Sequence, residues 1–257
     1  MNINSNSGAG RVAVFAMLTA LAGTAGAQAP ASGTGAAAPA ADKGAARPDT
    51  SSRAAKQEET AKRHVSEAVA VVRSIEKDQR MRSVLQQSKG VFIVPSYGRA
   101  ALGVGASGGT GILLVRRPDG QWSHPVFYNT GGLNVGLQAG AEGGAMALVL
   151  MNDKAVTEFT KRNNFSMNAK TGLTILNWTR IAQGELGTGD VVAWSGAKGL
   201  FGDIVTIELN NIRFNQNLTN AYYQRSLSVS DVVEGKASNS QAEPLIEELA
   251  GATKTPE

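Results

Sequence analysis

Cysteine is missing from all 257 residues, which excludes a disulfide, a thiolate metal site and an acylated lipoprotein cysteine. The chain must therefore fold on its hydrophobic core alone, and it is long enough to do so. Histidine is nearly as scarce: His64 and His124 are the only two. With no cysteine beside them, two isolated histidines make a metal site a poor reading. Aromatic residues amount to 5%, too few and too scattered for the interleaved stacking platform of a single-strand nucleic-acid binder. Long apolar runs are also wanting. Beyond the first thirty residues none approaches the roughly 20 residues of a membrane-spanning helix, so the expectation is a soluble or peripheral protein.

The first thirty residues read as an export signal. Arg11 precedes the apolar run Val12 to Leu21, and Ala25-Gly26-Ala27 supplies a small-residue cleavage site after Ala27. Residues 1–27 are thus expected to be a secretory signal peptide and 28–52, rich in Ala, Pro, Gly, Ser and Thr, a flexible tether. Residues 53–257 remain for a single domain.

Glycine is what the chain has in excess. Thirteen of the 47 residues from Gly98 to Gly144 are glycine, about four times the average of roughly 7%. Many alternate with apolar residues, as in Leu102-Gly103-Val104-Gly105 and Val135-Gly136-Leu137-Gln138-Ala139-Gly140. Period-two alternation marks a strand, and glycine at every second position bares one of its faces, so such strands can coil hard and approach another element closely. Gly105 and Gly136 are the expected points of closest approach.

Further strands are expected at Gly90 to Pro95, where proline closes the run, at Gln121 to Tyr128, Leu133 to Ala141 and Ala145 to Met151, and later at Thr171 to Arg180, Asp190 to Ser195 and Asp203 to Leu209. Helices are expected from Ser51-Ser52 through Lys56 to about Arg80, followed by a shorter helical turn with Met81, Val84 and Leu85 that ends before Ser88-Lys89-Gly90, and at Lys154 to Lys161, Asn215 to Arg225 and Ala242 to Ala250. Strand and helix do not alternate regularly. That pattern predicts an α+β fold: a strongly curved, glycine-rich antiparallel sheet, or a small barrel-like sheet, flanked by an N-terminal amphipathic helix and further helices.

Charge is unevenly spread. Residues 53–99 carry ten Lys or Arg against five acids, whereas residues 100–257 carry 12 bases and 14 acids. On a helical wheel Ala61, Val65, Ala68, Val69, Val72 and Ile75 share an arc of about 120°, and Lys62, Arg73, Lys77 and Arg80 fall within about 60° beside it. An apolar stripe flanked by cations is the membrane-surface pattern, although charge runs are commonly solvated faces, here balanced by Glu59, Glu67 and Glu76.

Catalytic motifs do not survive inspection. Gly103-Val104-Gly105-Ala106-Ser107-Gly108 has the dinucleotide-binding spelling but runs on into strand-like Gly111 to Val115, with no helix to meet a pyrophosphate. Ser195 lacks the first glycine of a nucleophile elbow. Asn152-Asp153 reads as a helix cap and Gly189-Asp190 as a turn. No cofactor is implied.

The ordered runs Ser88 to Pro95, Gly103 to Leu114, Gln121 to Pro125, Thr130 to Gly140, Leu148 to Asn152 and Ala197-Lys198-Gly199-Leu200-Phe201 resemble a SYLF domain over roughly Ala61 to Tyr223. The resemblance implies a lipid-binding, non-enzymatic module, one that in eukaryotes binds phosphoinositides through an N-terminal basic, amphipathic segment and in some members associates with actin. Carried onto this chain, the implied lipid-facing residues are Lys62, Arg63, Arg73, Lys77, Arg80 and Arg82, with Lys89 and Lys198 from the Lys-Gly pairs that carry the resemblance. A signal peptide ahead of a stand-alone domain resembles the bacterial exported branch. The expected partner is then the anionic phospholipid surface of an envelope membrane, reached from the periplasm, and actin and nucleic acid are not expected partners. On this view Val65, Val69 and Val72 insert at the interface, or the sheet accepts an acyl chain. The alternative is an envelope structural or protein-interaction module whose stripe docks on its own sheet.

Overall fold

The computed structural model describes residues 50–102, 104–135, 140–167, 172–178, 189–196 and 209–254, all within one compact unit, Arg47–Glu257. The expected signal peptide, nearly all of the tether, Gly136 and Lys198 lie outside the described residues.

Four long strands carry the glycines: β1 (Gly90–Leu102), β2 (Val104–Val115), β3 (Val126–Val135) and β4 (Gly140–Leu150). Shorter strands β5 (Asn164–Met167), β6 (Ile175–Asn177), β7 (Val191–Ser195) and β8 (Leu209–Phe214) complete one sheet in the order β5-β8-β3-β2-β1-β4-β7-β6. Its pairings are antiparallel except β6 with β7. The eight strands curl into a half-barrel, the curved α+β sheet expected from the glycine pattern.

Close approach is the reason for glycine at specific positions. A Cβ on Gly111 would stand 2.1 Å from the Phe92 ring, and one on Gly109 2.6 Å from the Ser96 carbonyl. Gly131 has φ 138° and would press a Cβ to 2.1 Å from the Ser107 carbonyl. Pro95, expected to close its strand, instead sits inside β1. The register to both neighbours shifts around it, between Ile93 and Gly98 against β2 and between Val94 and Tyr97 against β4. A bulge absorbs the missing ladder donor, so the strand continues. The separate strands expected at Gln121 to Tyr128 and Leu133 to Ala141 are likewise redrawn, since β3 runs through Thr130-Gly131-Gly132 without a break.

Both faces of the sheet are covered where β1 and β4 carry the continuous apolar runs Val91 to Val94 and Met146 to Leu150. One face presents Val91, Ile93, Ile112, Leu114, Phe127 and Val149, packed under α1 (Thr50–Glu76), α2 (Gln79–Gln86), α4 (Gln216–Tyr223) and α6 (Glu243–Ala252). The other presents Phe92, Val94, Leu113, Tyr128 and Leu148 to α3 (Asp153–Lys161) and α5 (Val229–Val233). Phe92, Tyr128, Phe159 and Phe165 meet ring to ring there, with centroids 4.9–6.0 Å apart.

The helix expected to run through Lys56 to about Arg80 ends earlier, at Glu76, and the shorter helical turn expected after it begins at Gln79, so the break falls at Lys77-Asp78. Asp78 is extended (φ −95°, ψ 112°), and its carboxylate accepts the Arg80 and Met81 N–H groups at 2.9 and 3.2 Å. A short carboxylate that competes for backbone donors caps α2 and ends α1 at Glu76. The break takes Arg80 out of the wheel on which Lys62 and Arg73 lie.

Candidate membrane-facing cation surface

The apolar stripe of α1 is spent on the fold. Ala61, Val65, Ala68, Val72 and Ile75 are at most 2% exposed and Val69 9%, all inside the core shared with the sheet. Burying side chains of this size contributes about 1.5–3 kcal/mol each, so lifting α1 off the sheet forfeits on the order of 10 kcal/mol. That is comparable to the whole stability of a typical domain. Insertion of Val65, Val69 and Val72 into a bilayer is therefore corrected: the docked helix has no apolar face left to insert.

The cations beside the stripe divide into two sets. Along α1 they meet acids: Lys62 lies 2.7 Å from Glu58, Arg63 3.7 Å from Glu67, and Arg73 2.8 Å from Glu248. Hydrogen bonding to Lys62 holds Glu58 below the usual carboxylate range and raises Lys62 in turn. Glu248 comes from α6, 175 residues further on, so no helical wheel could have paired it with Arg73. Its charge, after burial, also pushes the Glu76 carboxyl upward.

The second set surrounds the elbow between α1 and α2 and the turn into β1. Lys77, Arg80, Arg82 and Lys89 are all exposed there. Arg82 donates to the Glu76 carbonyl at 2.9 Å, tying the elbow shut without losing its charge. Among the described residues neither Lys77 nor Lys89 has an ion-pair partner. Lys89 is fixed at the backbone: its N–H donates to Leu150 at 2.7 Å and its carbonyl accepts from Arg116 at 2.8 Å.

The residues set aside as structural behave as such. Asn152 caps α3 by accepting the Ala155 N–H at 3.0 Å, and Asp190 accepts from the Thr174 N–H and Asn152 Nδ2 at 2.7 Å each. The Ala-Ser-Gly stretch of the dinucleotide spelling lies within β2, with no helix opening after it. His64 is half-buried against Glu67 at 3.2 Å. Among the described residues no group of three or more His, Asp or Glu could hold a metal ion, and no helix is long and apolar enough to cross a membrane.

A family model described as Ysc84, Las17-binding protein actin regulator, matches residues 131–252. The SH3 domain-containing YSC84-like protein 1 of Bos taurus is 29% identical over 175 residues, 66% of this chain and 51% of that protein. Its Homo sapiens counterpart is 28% identical over the same shares. Protein YSC84 of Saccharomyces cerevisiae is 24% identical over 199 residues, 72% of this chain and 42% of that protein. The chain thus spans about half the length of the curated relatives it matches. No solved structure matches. Fold and matches together define an α+β half-barrel domain of the Ysc84 type. The chain is similar to the SYLF family over the matched residues. The family description names binding and regulation, not a reaction.

Proposed function

We propose that this protein is a non-enzymatic, exported lipid-binding module that docks peripherally on the anionic phospholipid of an envelope membrane, with Lys77, Arg80, Arg82 and Lys89 as its contact surface. The observation that carries the reading is the exposure of Lys77, Arg80 and Arg82 at the elbow and of Lys89 at the other end of α2, while Lys62, Arg63 and Arg73 are engaged by Glu58, Glu67 and Glu248. Similarity to the SYLF family, whose members the sequence resemblance describes as lipid-binding, supports it.

Magnitudes limit the claim. Each cation near an anionic surface contributes about 1 kcal/mol, so four give about 4 and a dissociation constant near 1 mM. Docking of this strength is reversible and depends on many copies sharing one surface. Phosphoinositide binding, implied by the family, is expected in vitro as one case of the same electrostatics. The alternative, an envelope protein-interaction module, draws support from the stripe of α1 being docked on its own sheet.

Flotation with vesicles of phosphatidylcholine, with and without phosphatidylglycerol, tests the reading. The protein is expected to float only with the anionic vesicles, and replacing Lys77, Arg80, Arg82 and Lys89 by Gln is expected to abolish flotation while leaving the melting temperature nearly unchanged. A folded quadruple variant that floats as the parent does overturns it. Export is tested separately, by N-terminal sequencing of secreted protein, with Gln28 as the expected first residue.

A further inference from the structure

One acid stands inside the cation surface of the elbow. Glu76 closes α1 and is followed at once by exposed Lys77, with exposed Arg80 and Arg82 on the next helix. Along the sequence it counts among the acids that balance the cations of α1; in the fold it forms an ion pair with none of them. Lys62 and Arg63 are taken by Glu58 and Glu67, and Arg73 by Glu248 of α6 at 2.8 Å. Arg82 reaches the backbone carbonyl of Glu76 at 2.9 Å, not its carboxylate. Among the described residues no ion pair engages the Glu76 side chain.

Three features of its surroundings work against the negative charge. Glu76 is the last residue of a 27-residue helix, where the backbone dipole presents its negative end. It is half-buried. Glu248, already paired with Arg73, brings a second carboxylate to the same place from α6. The groups of opposite sign that face it are Arg82 of α2 and Arg73 of α1, with Lys77 exposed beside it. Asp78 is spent on the Arg80 and Met81 N–H groups that it caps. Burial, first, and Glu248 outweigh the two arginines, so the carboxyl is held above its ordinary range.

We propose that Glu76 makes docking on an anionic membrane acid-sensitive: the docked state takes up one proton at the Glu76 carboxylate, and the cation surface binds more tightly as pH falls. This rests on the membrane reading above and names how that surface is regulated. Lipid phosphates brought against the elbow add one more opposing charge to a carboxylate that has no ion-pair partner, and the proton removes that repulsion. Linkage fixes the sign. A group whose pKa rises on docking holds more protons in the docked state, so docking gains as pH falls through that pKa. Neutralising one acid at such a surface is equivalent to adding one cation, a factor of about five in affinity.

The two histidines also gain charge in acid and need to be separated from Glu76. His64 lies twelve residues earlier on α1, roughly 18 Å away at 1.5 Å per residue and beyond the screening length of about 8 Å. His124 lies between β2 and β3, facing Glu243 and Arg117.

Flotation over a series of vesicle concentrations, with phosphatidylcholine vesicles containing phosphatidylglycerol in roughly 20 mM salt, reads the effect between about pH 7.5 and about pH 5. The parent is expected to bind about fivefold more tightly at the lower pH. Glu76→Gln, which makes the neutral form permanent, should bind about fivefold more tightly than the parent at the higher pH and lose most of the response. Its melting temperature should not fall, because it keeps the shape and removes an opposed charge. Glu248→Gln, which takes away the neighbouring carboxylate and frees Arg73, should move the response to lower pH, and it carries the comparison if Glu76→Gln does not fold. His64→Gln with His124→Gln should keep the response. Equal parent binding at both pH values, a response that persists in Glu76→Gln, or one that disappears with the histidines overturns the inference and leaves the membrane reading standing. Flotation at neither pH removes the membrane reading and this regulation with it.

Discussion

Gly111 and Phe92 show how one residue sets the curl of the sheet. The ring of Phe92 occupies the space a side chain on Gly111 would need, with Tyr128 and Phe159 packed on its other sides. Gly111→Ala must displace that ring, and overpacking costs about 1–3 kcal/mol. In a domain of this size the melting temperature is expected to fall by roughly 3–10 °C; an unchanged value in a thermal melt would mean the strands do not approach as described. Ionisation at His64 and His124 gives a second expectation. Burial depresses both pKa values below 6.5, outweighing the neighbouring Glu67 and Glu243. Each therefore contributes stability that is present above the unfolded value and lost as pH falls through the folded one. Glu76, held above its ordinary range, acts in the opposite sense. The measurement is thus a difference: between pH 7.5 and 5.5 the parent should lose more melting temperature than a variant carrying His64→Gln and His124→Gln.

Among the elements, α1 was the most legible and also the most misleading. Its 3.6-residue periodicity named every residue that the structure buries along it except Val71, yet an apolar stripe looks the same whether it meets a bilayer or a sheet. What decided between them was Val91, Ile93, Ile112 and Phe127 needing a cover on one face of the sheet, a tertiary fact that no helical wheel contains. Ile75→Ala is accordingly expected to cost about 2–5 kcal/mol, whereas Arg73→Gln, at an exposed ion pair with Glu248, should cost no more than about 1. Denaturant unfolding of the two variants checks the ranking, and equal small costs would mean α1 is not docked. The elbow was half-visible, since Asp78 is a strong cap, but nothing like Pro or Gly marks the break. Ser228 and Asp231 form a capping box at α5 that was readable and was passed over. The bulge at Pro95 and the order of the strands were not readable, because both depend on partners far away in sequence.

At the scale of the whole molecule, the packing of α1 narrows the proposed membrane reading to surface charge. With the stripe docked, the affinity proposed for the cation surface rests almost wholly on electrostatics, and exposed charge is screened within about 8 Å at physiological ionic strength. Flotation with phosphatidylglycerol vesicles should therefore be strong at roughly 20 mM salt and largely lost by about 300 mM. Hydrogen exchange adds the structural half of the same expectation. Amides of Ala61 to Ile75 should stay protected on vesicles, because the helix remains on the sheet, while protection rises at the elbow from Lys77 to Arg82. Deprotection of Ala61 to Ile75 on vesicles, together with salt-resistant flotation, would show that α1 leaves the sheet and inserts. The stripe would then serve the bilayer, and the core described for this face would be only the unbound state.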